Sequence, residues 1–278
     1  MTTPDTLFWR LTTLLCGAGF LALALFIAAP GLDLWAAGLF FDGAGFPLRA
    51  DPAIAALRQF YKLVFATACV AVALTVLARI GAALAPALAP AEGWSSPLRL
   101  WLFFCALLAT GPGLIANLVF KSFWGRARPE AVEAFGGQHP LTPPFGLSDA
   151  CASNCSFVSG EGAAAAALAF GLLAAFWPAL RTPQARRLAV AASALWLAGA
   201  GLIRMGPGKH FLSDTLFAFV LMGLTAAALY RVFALGGARA RAGAAAQDVA
   251  RAARILLRAA RAAPRLLATT RLRRRQDG

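Results

Sequence analysis

His210 and Asp214 stand four residues apart in a polar island, residues 204–214, between two long apolar runs, with Arg204 six residues before the histidine. If Asp214 opens or lies within the next helix, the two side chains share a face. The carboxylate can then accept a hydrogen bond from one imidazole nitrogen and fix the tautomer. The other nitrogen keeps a free lone pair, which is what makes a histidine a nucleophile. Arg204 adds a permanent positive charge that a phosphoryl oxygen can neutralise.

Two earlier islands offer matching chemistry. One apolar run ends in Lys121, with Arg128-Pro129 seven residues on, which puts two cations about two helical turns apart at a helix end. Alone, that spacing equally suits lysine and arginine snorkelling at a membrane interface. The second island reaches Ser159-Gly160-Glu161 at the opening of the next apolar run. A Ser-Gly helix start presents free N–H groups and the positive end of a dipole to an anion. Ser159 serves equally as a plain N-cap, and Glu161 as a first-turn acid complementing the dipole. Together the pattern K-x6-RP, SG, R-x5-H-x3-D describes a phosphate site with a nucleophile. No carboxylate cluster with metal-ligand spacing accompanies it, so no metal or other cofactor is expected.

The rest of the chain must hold these islands together at a membrane face. Of its 278 residues, 60% are hydrophobic and only 14% charged, which describes a polytopic membrane protein and not a soluble domain. Apolar runs at 11–30, 60–84, 100–120, 162–180, 188–203 and 211–230 predict six spans, the fifth short unless it borrows flanking residues. Gly111-Pro112-Gly113 predicts a kink in the third. Segment 31–56 reads as a loop with a short surface helix around 34–41, and 85–97 as a linker. The fold class is therefore all-α, a six-helix membrane bundle over residues 1–235, followed by a basic tail over 236–278.

Twelve arginines between Arg231 and Arg275 supply most of the +14 net charge, which argues against a nucleic-acid partner. Arg79, Arg99, Arg181, Arg186 and Arg187 lie on the tail's side of a six-span topology, which makes that side cytoplasmic and places both termini inside. The three islands then face the periplasm of a bacterial inner membrane. Arg251, Arg254, Arg258 and Arg261 follow helical spacing, so a basic surface helix up to Pro264 is expected on anionic lipid, a solvated tail being the alternative. Cys16, Cys69 and Cys105 read as small buried hydrophobes. Cys151 and Cys155 can pair in an oxidising compartment or remain two thiols.

The three motifs resemble those of the type 2 phosphatidic acid phosphatase (PAP2) superfamily, over residues 100–220 by motif and over the six-span plan by pattern. The resemblance implies that Lys121, Arg128, Ser159, Gly160 and Arg204 hold phosphate, that His210 forms a phosphohistidine, and that Asp214 orients it. One departure stands out: the family usually has histidine, its general acid, where this chain has Glu161. The reading favours Glu161 as proton donor over His139, the one other histidine. Between residues 111 and 162, Gly111 to Lys121, Trp124 to Pro129, Pro143-Pro144-Phe145 and Cys151 to Val158 look like the lipid A 4′-phosphatases. A phosphorylated lipid is thus the expected partner: lipid A first, with undecaprenyl diphosphate or phosphatidylglycerol phosphate as alternatives. From another class, a lipid transporter is disfavoured because the charges gather at one face and no repeat is apparent. A non-catalytic lipid-binding protein rests only on the missing histidine.

Overall fold

The computed structural model describes residues 4–90, 93–235 and 242–276. Arg239 and Arg241 of the basic tail lie outside them. The described chain is helical, with one isolated β-bridge between Val132 and His139.

In order, α1 (Pro4–Ala28) leads through a 91° bend into α2 (Gly31–Gly38), and α3 (Pro52–Leu84) follows. Next, α4 (Leu98–Leu108) continues as a π-helical segment, Ala109–Phe120, into the single turn α5 (Lys121–Phe123). After a long loop come α6 (Gly160–Phe176), α7 (Pro183–Met205) and α8 (Leu212–Val232), and finally α9 (Ala242–Gln276). Among the described residues, five helices are long and apolar enough to cross a bilayer, and the bent pair α1–α2 makes a sixth if counted as one span. The protein is thus a polytopic all-α membrane protein.

Several boundaries differ from the apolar runs for local reasons. Helix α3 begins eight residues before Phe60, because Asp51 caps it through Ala53 and Ile54 N–H groups and Pro52 fills the first helical position. That extension carries Arg58 into the helix. Helix α7 gains residues from a Thr182 cap and Pro183, so the short fifth run becomes a 23-residue helix. The expected kink at Pro112 is a widened π stretch, where Asn117 Nδ2 donates to the Pro112 carbonyl at 2.7 Å.

At the centre stands α6, packed against α7 and α8. Its run of small residues lets neighbouring backbones approach, and Ala163, Ala165, Ala166, Ala167 and Ala169 are all buried. Large apolar side chains such as Phe20, Leu63, Val70 and Leu195 point outward, as a lipid-facing surface requires. Cys105 is exposed among them, and Cys16 and Cys69 are half-buried, so the three are not core residues. At one end of the bundle, Phe120, Trp124, Phe145, Phe157 and Phe217 form an aromatic plug that seats the 124–158 loop.

At the other end, α9 lies on α3. Ala252 and Ile255 pack on Ala78, and buried Asp248 accepts bonds from Arg79, Ser95 and Ser96. The helix runs through Pro264 instead of ending there. Its first turns are docked on the bundle, unlike a freely solvated tail, while Arg254, Arg258 and Arg261 remain exposed.

Candidate active site

The imidazole of His210 is buried at 1% exposure, just ahead of α8. Its Nδ1 lies 2.7 Å from the Ser156 carbonyl oxygen, which can only accept, so Nδ1 carries the proton. Nε2 is therefore the bare nitrogen, and it is buried without a hydrogen-bond partner. Burial, reinforced by the charges of Arg204 and Lys121 and opposed by Asp214, lowers the pKa of His210 to about 4. At neutral pH the ring is uncharged with an available lone pair.

Asp214 occupies the first turn of α8, whereas His210 precedes that helix, so the two do not share a helical face. The carboxylate sits 3.6 Å from Nδ1, beyond a hydrogen bond. Its direct partners are Arg126 Nη1 at 2.5 Å, Ser156 Oγ at 2.5 Å and the Phe211 N–H at 2.8 Å. The orienting bond expected from Asp214 thus comes from Ser156, whose carbonyl holds the ring while its hydroxyl donates to Asp214.

Arg126 is fully buried and joins two carboxylates, Asp214 and, at 2.8 Å, Asp33 of α2. Burial opposes its charge, but the two acids more than offset this and its pKa is raised. Ser213 bridges Arg126 and Asp33, its hydroxyl accepting from Arg126 Nη1 at 2.8 Å and donating to Asp33 at 2.5 Å, while its N–H donates to Asp33 at 2.9 Å. Gly125 makes the turn into this arginine at φ +66°, and a Cβ there would lie 1.5 Å from the Ser148 carbonyl oxygen.

Beside the imidazole, a cavity of about 500 Å³ is lined by Lys121, Arg128, Arg204, Gly160 and Glu161, together with Arg58. Lys121 Nζ and Arg128 Nη2 converge on Asn154, donating to its side-chain oxygen at 2.8 Å and its carbonyl at 2.7 Å. The N–H groups of Lys209 and His210 both donate to the Arg204 carbonyl at 3.2 Å, which fixes histidine against arginine. Arg204 is 6% exposed and its Nε is buried without a partner. Gly160 lets α6 start against Lys121, for a Cβ would lie 2.9 Å from the lysine Cε and 2.7 Å from Asn117 Oδ1. Ser159 caps α6 through the Gly162 N–H at 3.2 Å, so its hydroxyl is engaged within the protein.

Glu161 is held in a way that does not suit the proton-donor role expected of it. Arg58 grips it through Nε at 2.9 Å and Nη2 at 2.6 Å, and Arg204 Nη1 lies 3.4 Å away. Such charge-assisted bonds favour the carboxylate over the acid. The alternative donor, His139, is half-buried in the 124–158 loop and does not line the cavity. Cys151 and Cys155, Cα atoms 5.6 Å apart, are joined as a disulfide beside Asn154.

The geometry brings Lys121, Arg128, Gly160, Glu161 and Arg204 to one cavity with His210 and Asp214 behind it. Sequence reading missed Arg58, Asp33, Arg126, Ser156 and Asn154. Arg126, Asn154 and Ser156 lie inside stretches that the sequence had singled out, but Arg126 reads there as one more phosphate ligand rather than a buried hub.

The profile of the PAP2 superfamily matches residues 99–236. A lipid A 4′-phosphatase of Rhizobium leguminosarum is 35% identical over 231 residues, covering 74% of this chain and 89% of that protein. One of Rhizobium etli is 32% identical over 211 residues, covering 69% of this chain and 75% of that protein. One of Francisella tularensis subsp. novicida is 42% identical over 130 residues, which span 46% of this chain and 56% of that protein. No solved structure matches the chain significantly.

Proposed function

The chain belongs to the PAP2 superfamily and is a membrane phosphatase by that membership, and from this premise we propose that it hydrolyses the 4′-phosphomonoester of lipid A. The observation that carries the reading is a pair of buried atoms without partners, the Nε2 lone pair of His210 and the Nε donor of Arg204. A phosphoryl group satisfies both, accepting from arginine through oxygen while its phosphorus meets the nitrogen.

In the proposed reaction, Lys121, Arg128 and Arg204 bind the phosphate oxygens with the N–H groups at the start of α6. Their charge favours the transition state, in which negative charge is spread over the transferring oxygens. His210 Nε2 attacks phosphorus in line, forming a P–N bond as the P–O bond to the sugar breaks. The departing oxygen takes a proton from cavity water. That water, left as hydroxide, attacks the phosphohistidine, breaking the P–N bond, releasing inorganic phosphate and restoring the neutral ring. Ser156, and behind it Asp214 and Arg126, hold the imidazole on its tautomer throughout.

We place the site at the periplasmic face of a bacterial inner membrane, with both termini cytoplasmic, from the side on which Arg79, Arg99, Arg181, Arg186 and Arg187 accumulate. Lipid A flipped to the outer leaflet fits a site at that bundle end. On the same topology, the exposed arginines of α9 rest against the anionic inner leaflet. Residues 1–235 form the phosphatase domain and 236–278 its basic extension, with α9 bound back on α3.

The test is phosphate release by purified protein from lipid A, with mass spectrometry locating the lost group. Loss of one phosphate from the 4′ position is the expected result. Turnover of phosphatidylglycerol phosphate or undecaprenyl diphosphate with lipid A untouched would move the substrate. No release from any of them would leave a lipid-binding protein.

A further inference from the structure

We infer that Arg58 of α3 is a further phosphate-contacting residue of this site and that Glu161 is a positioning residue, an ionised clamp holding Arg58 and Arg204 toward the cavity. The inference rests on the phosphatase reading and assigns roles within it. Three helices meet on this one carboxylate: α3 through Arg58, α6 through Glu161 and α7 through Arg204. Both carboxylate oxygens accept from Arg58 Nε, at 3.1 and 2.9 Å, and Oε1 also accepts from Nη2 at 2.6 Å. A protonated carboxyl forfeits that bidentate pairing, so this geometry holds the group as an acceptor and gives it no proton to donate.

A bare carboxylate inside an anion site repels phosphate. Arg58 matches its charge, which leaves the charge of Arg204 for the substrate. The Arg58 side chain is 41% exposed against 7% for Arg204, so it lies toward the open part of the cavity that both line. Its grip on Glu161 uses Nε and Nη2, which leaves Nη1 for a phosphate oxygen. The acid in place of the family's histidine is thereby explained as the anchor of an added cation.

Two readouts separate a clamp from a general acid. With an aryl phosphate whose leaving group needs no proton, a variant lacking a general acid recovers, whereas one lacking a clamp does not. The expected result is that E161Q stays impaired on both lipid and aryl phosphates. R58A should raise KM about tenfold or more, the scale of one lost hydrogen bond to a charged group. The double variant R58A/E161A should lose less than the two single losses multiplied, because the two residues act through one contact. Recovery of E161Q on the aryl phosphate, or single losses that simply multiply in the double variant, overturns the inference. Should R58A fail to fold, R58K carries the same comparison: it keeps the charge but loses the fork, and KM unchanged from wild type also overturns the inference. Wild-type release from the lipid phosphate is the control, and its absence sinks the phosphatase reading itself.

Discussion

Asp214 and Asp248, at opposite ends of the bundle, are both fully buried carboxylates, and the protein solves both with nearly the same donors. Asp214 takes an arginine, a serine hydroxyl and a backbone N–H, from Arg126, Ser156 and Phe211. Asp248 takes Arg79, the Ser96 hydroxyl at 2.5 Å, and the N–H groups of Ser95 and Ser96 at 2.7 and 2.9 Å. Each set meets the desolvation cost of a buried anion with charge and hydrogen bonds. The difference lies in the neighbour. Ser156, which feeds Asp214, also turns its carbonyl to His210 and leaves Nε2 bare, whereas the donors around Asp248 hold only α9 on α3. What marks the site end is the kind of atom left unsatisfied: a nucleophile's lone pair at His210, against only a spare donor, Arg79 Nε, at Asp248.

The comparison breaks first at His210. Replacing it with alanine is expected to lower kcat by at least about 10⁴-fold, the scale seen when a covalent nucleophile is lost, without a comparable fall in melting temperature. Retained turnover would mean that the bare nitrogen is not the attacking atom. Next comes Arg126→Met, which strands Asp33 and Asp214 without their shared cation. Breaking one partner out of such a pair costs about 3–5 kcal/mol, read as a lowered thermal midpoint in detergent together with lost activity. A stable, active variant would show that Arg126 is dispensable to the ring's placement.

Acid separates the two ends more gently. His210 has its pKa lowered from 6.5 to about 4, so between those values the unfolded chain binds a proton that the fold refuses. Stability at the site end therefore falls as pH drops from about 6.5 to about 4, and is fully present above that window. For Asp248, burial alone would raise the pKa, but the Ser95, Ser96 and Arg79 bonds outweigh it and lower it below 3.8. Its contribution persists above 3.8 and goes only as pH falls below that value. Melting curves should slope from pH 6.5 downward in the wild type, with the slope reduced in His210→Ala. Activity should keep its acid limb near pH 4, whereas a limb at 6.5 would mean a solvated imidazole.

The motifs were legible because each cation, turn or nucleophile sits in a short polar segment flanked by apolar runs, where composition alone makes it conspicuous. Their supports were not. Arg58 and Glu161 are 103 positions apart, and nothing near Arg58 marks it as more than a charge at a helix start. Asp33 reads as a loop acid until the 91° bend after α1 folds α2 back over the Arg126 hub. The expected His210–Asp214 bond follows from helical spacing, yet the helix starts two residues after the histidine and a backbone carbonyl takes its place. The bundle was readable in outline because hydropathy is local. The helix starts at Asp51 and Thr182 extend beyond the apolar runs because capping, a polar signal, sets them.

The smallest expected effect tests the silent half of the comparison. Asp248→Asn keeps the shape and some acceptor capacity of the side chain but removes the charge that Arg79 and the Ser95 and Ser96 N–H groups address. The amide also brings donors into a pocket already full of donors, so part of the buried set is left unsatisfied, a loss of about 1–3 kcal/mol. Arg79 already has a buried Nε without a partner and loses its ion pair as well. The loosened contact is the one between α9 and α3, so limited proteolysis after residue 241 should quicken while kcat and KM of the folded protein stay at wild-type values. If kcat falls in Asp248→Asn with the fold intact, the two ends are coupled through α3, whose first turns carry Arg58 into the active-site cavity and whose last turns carry Arg79. The donors around Asp248 would then belong to the catalytic apparatus.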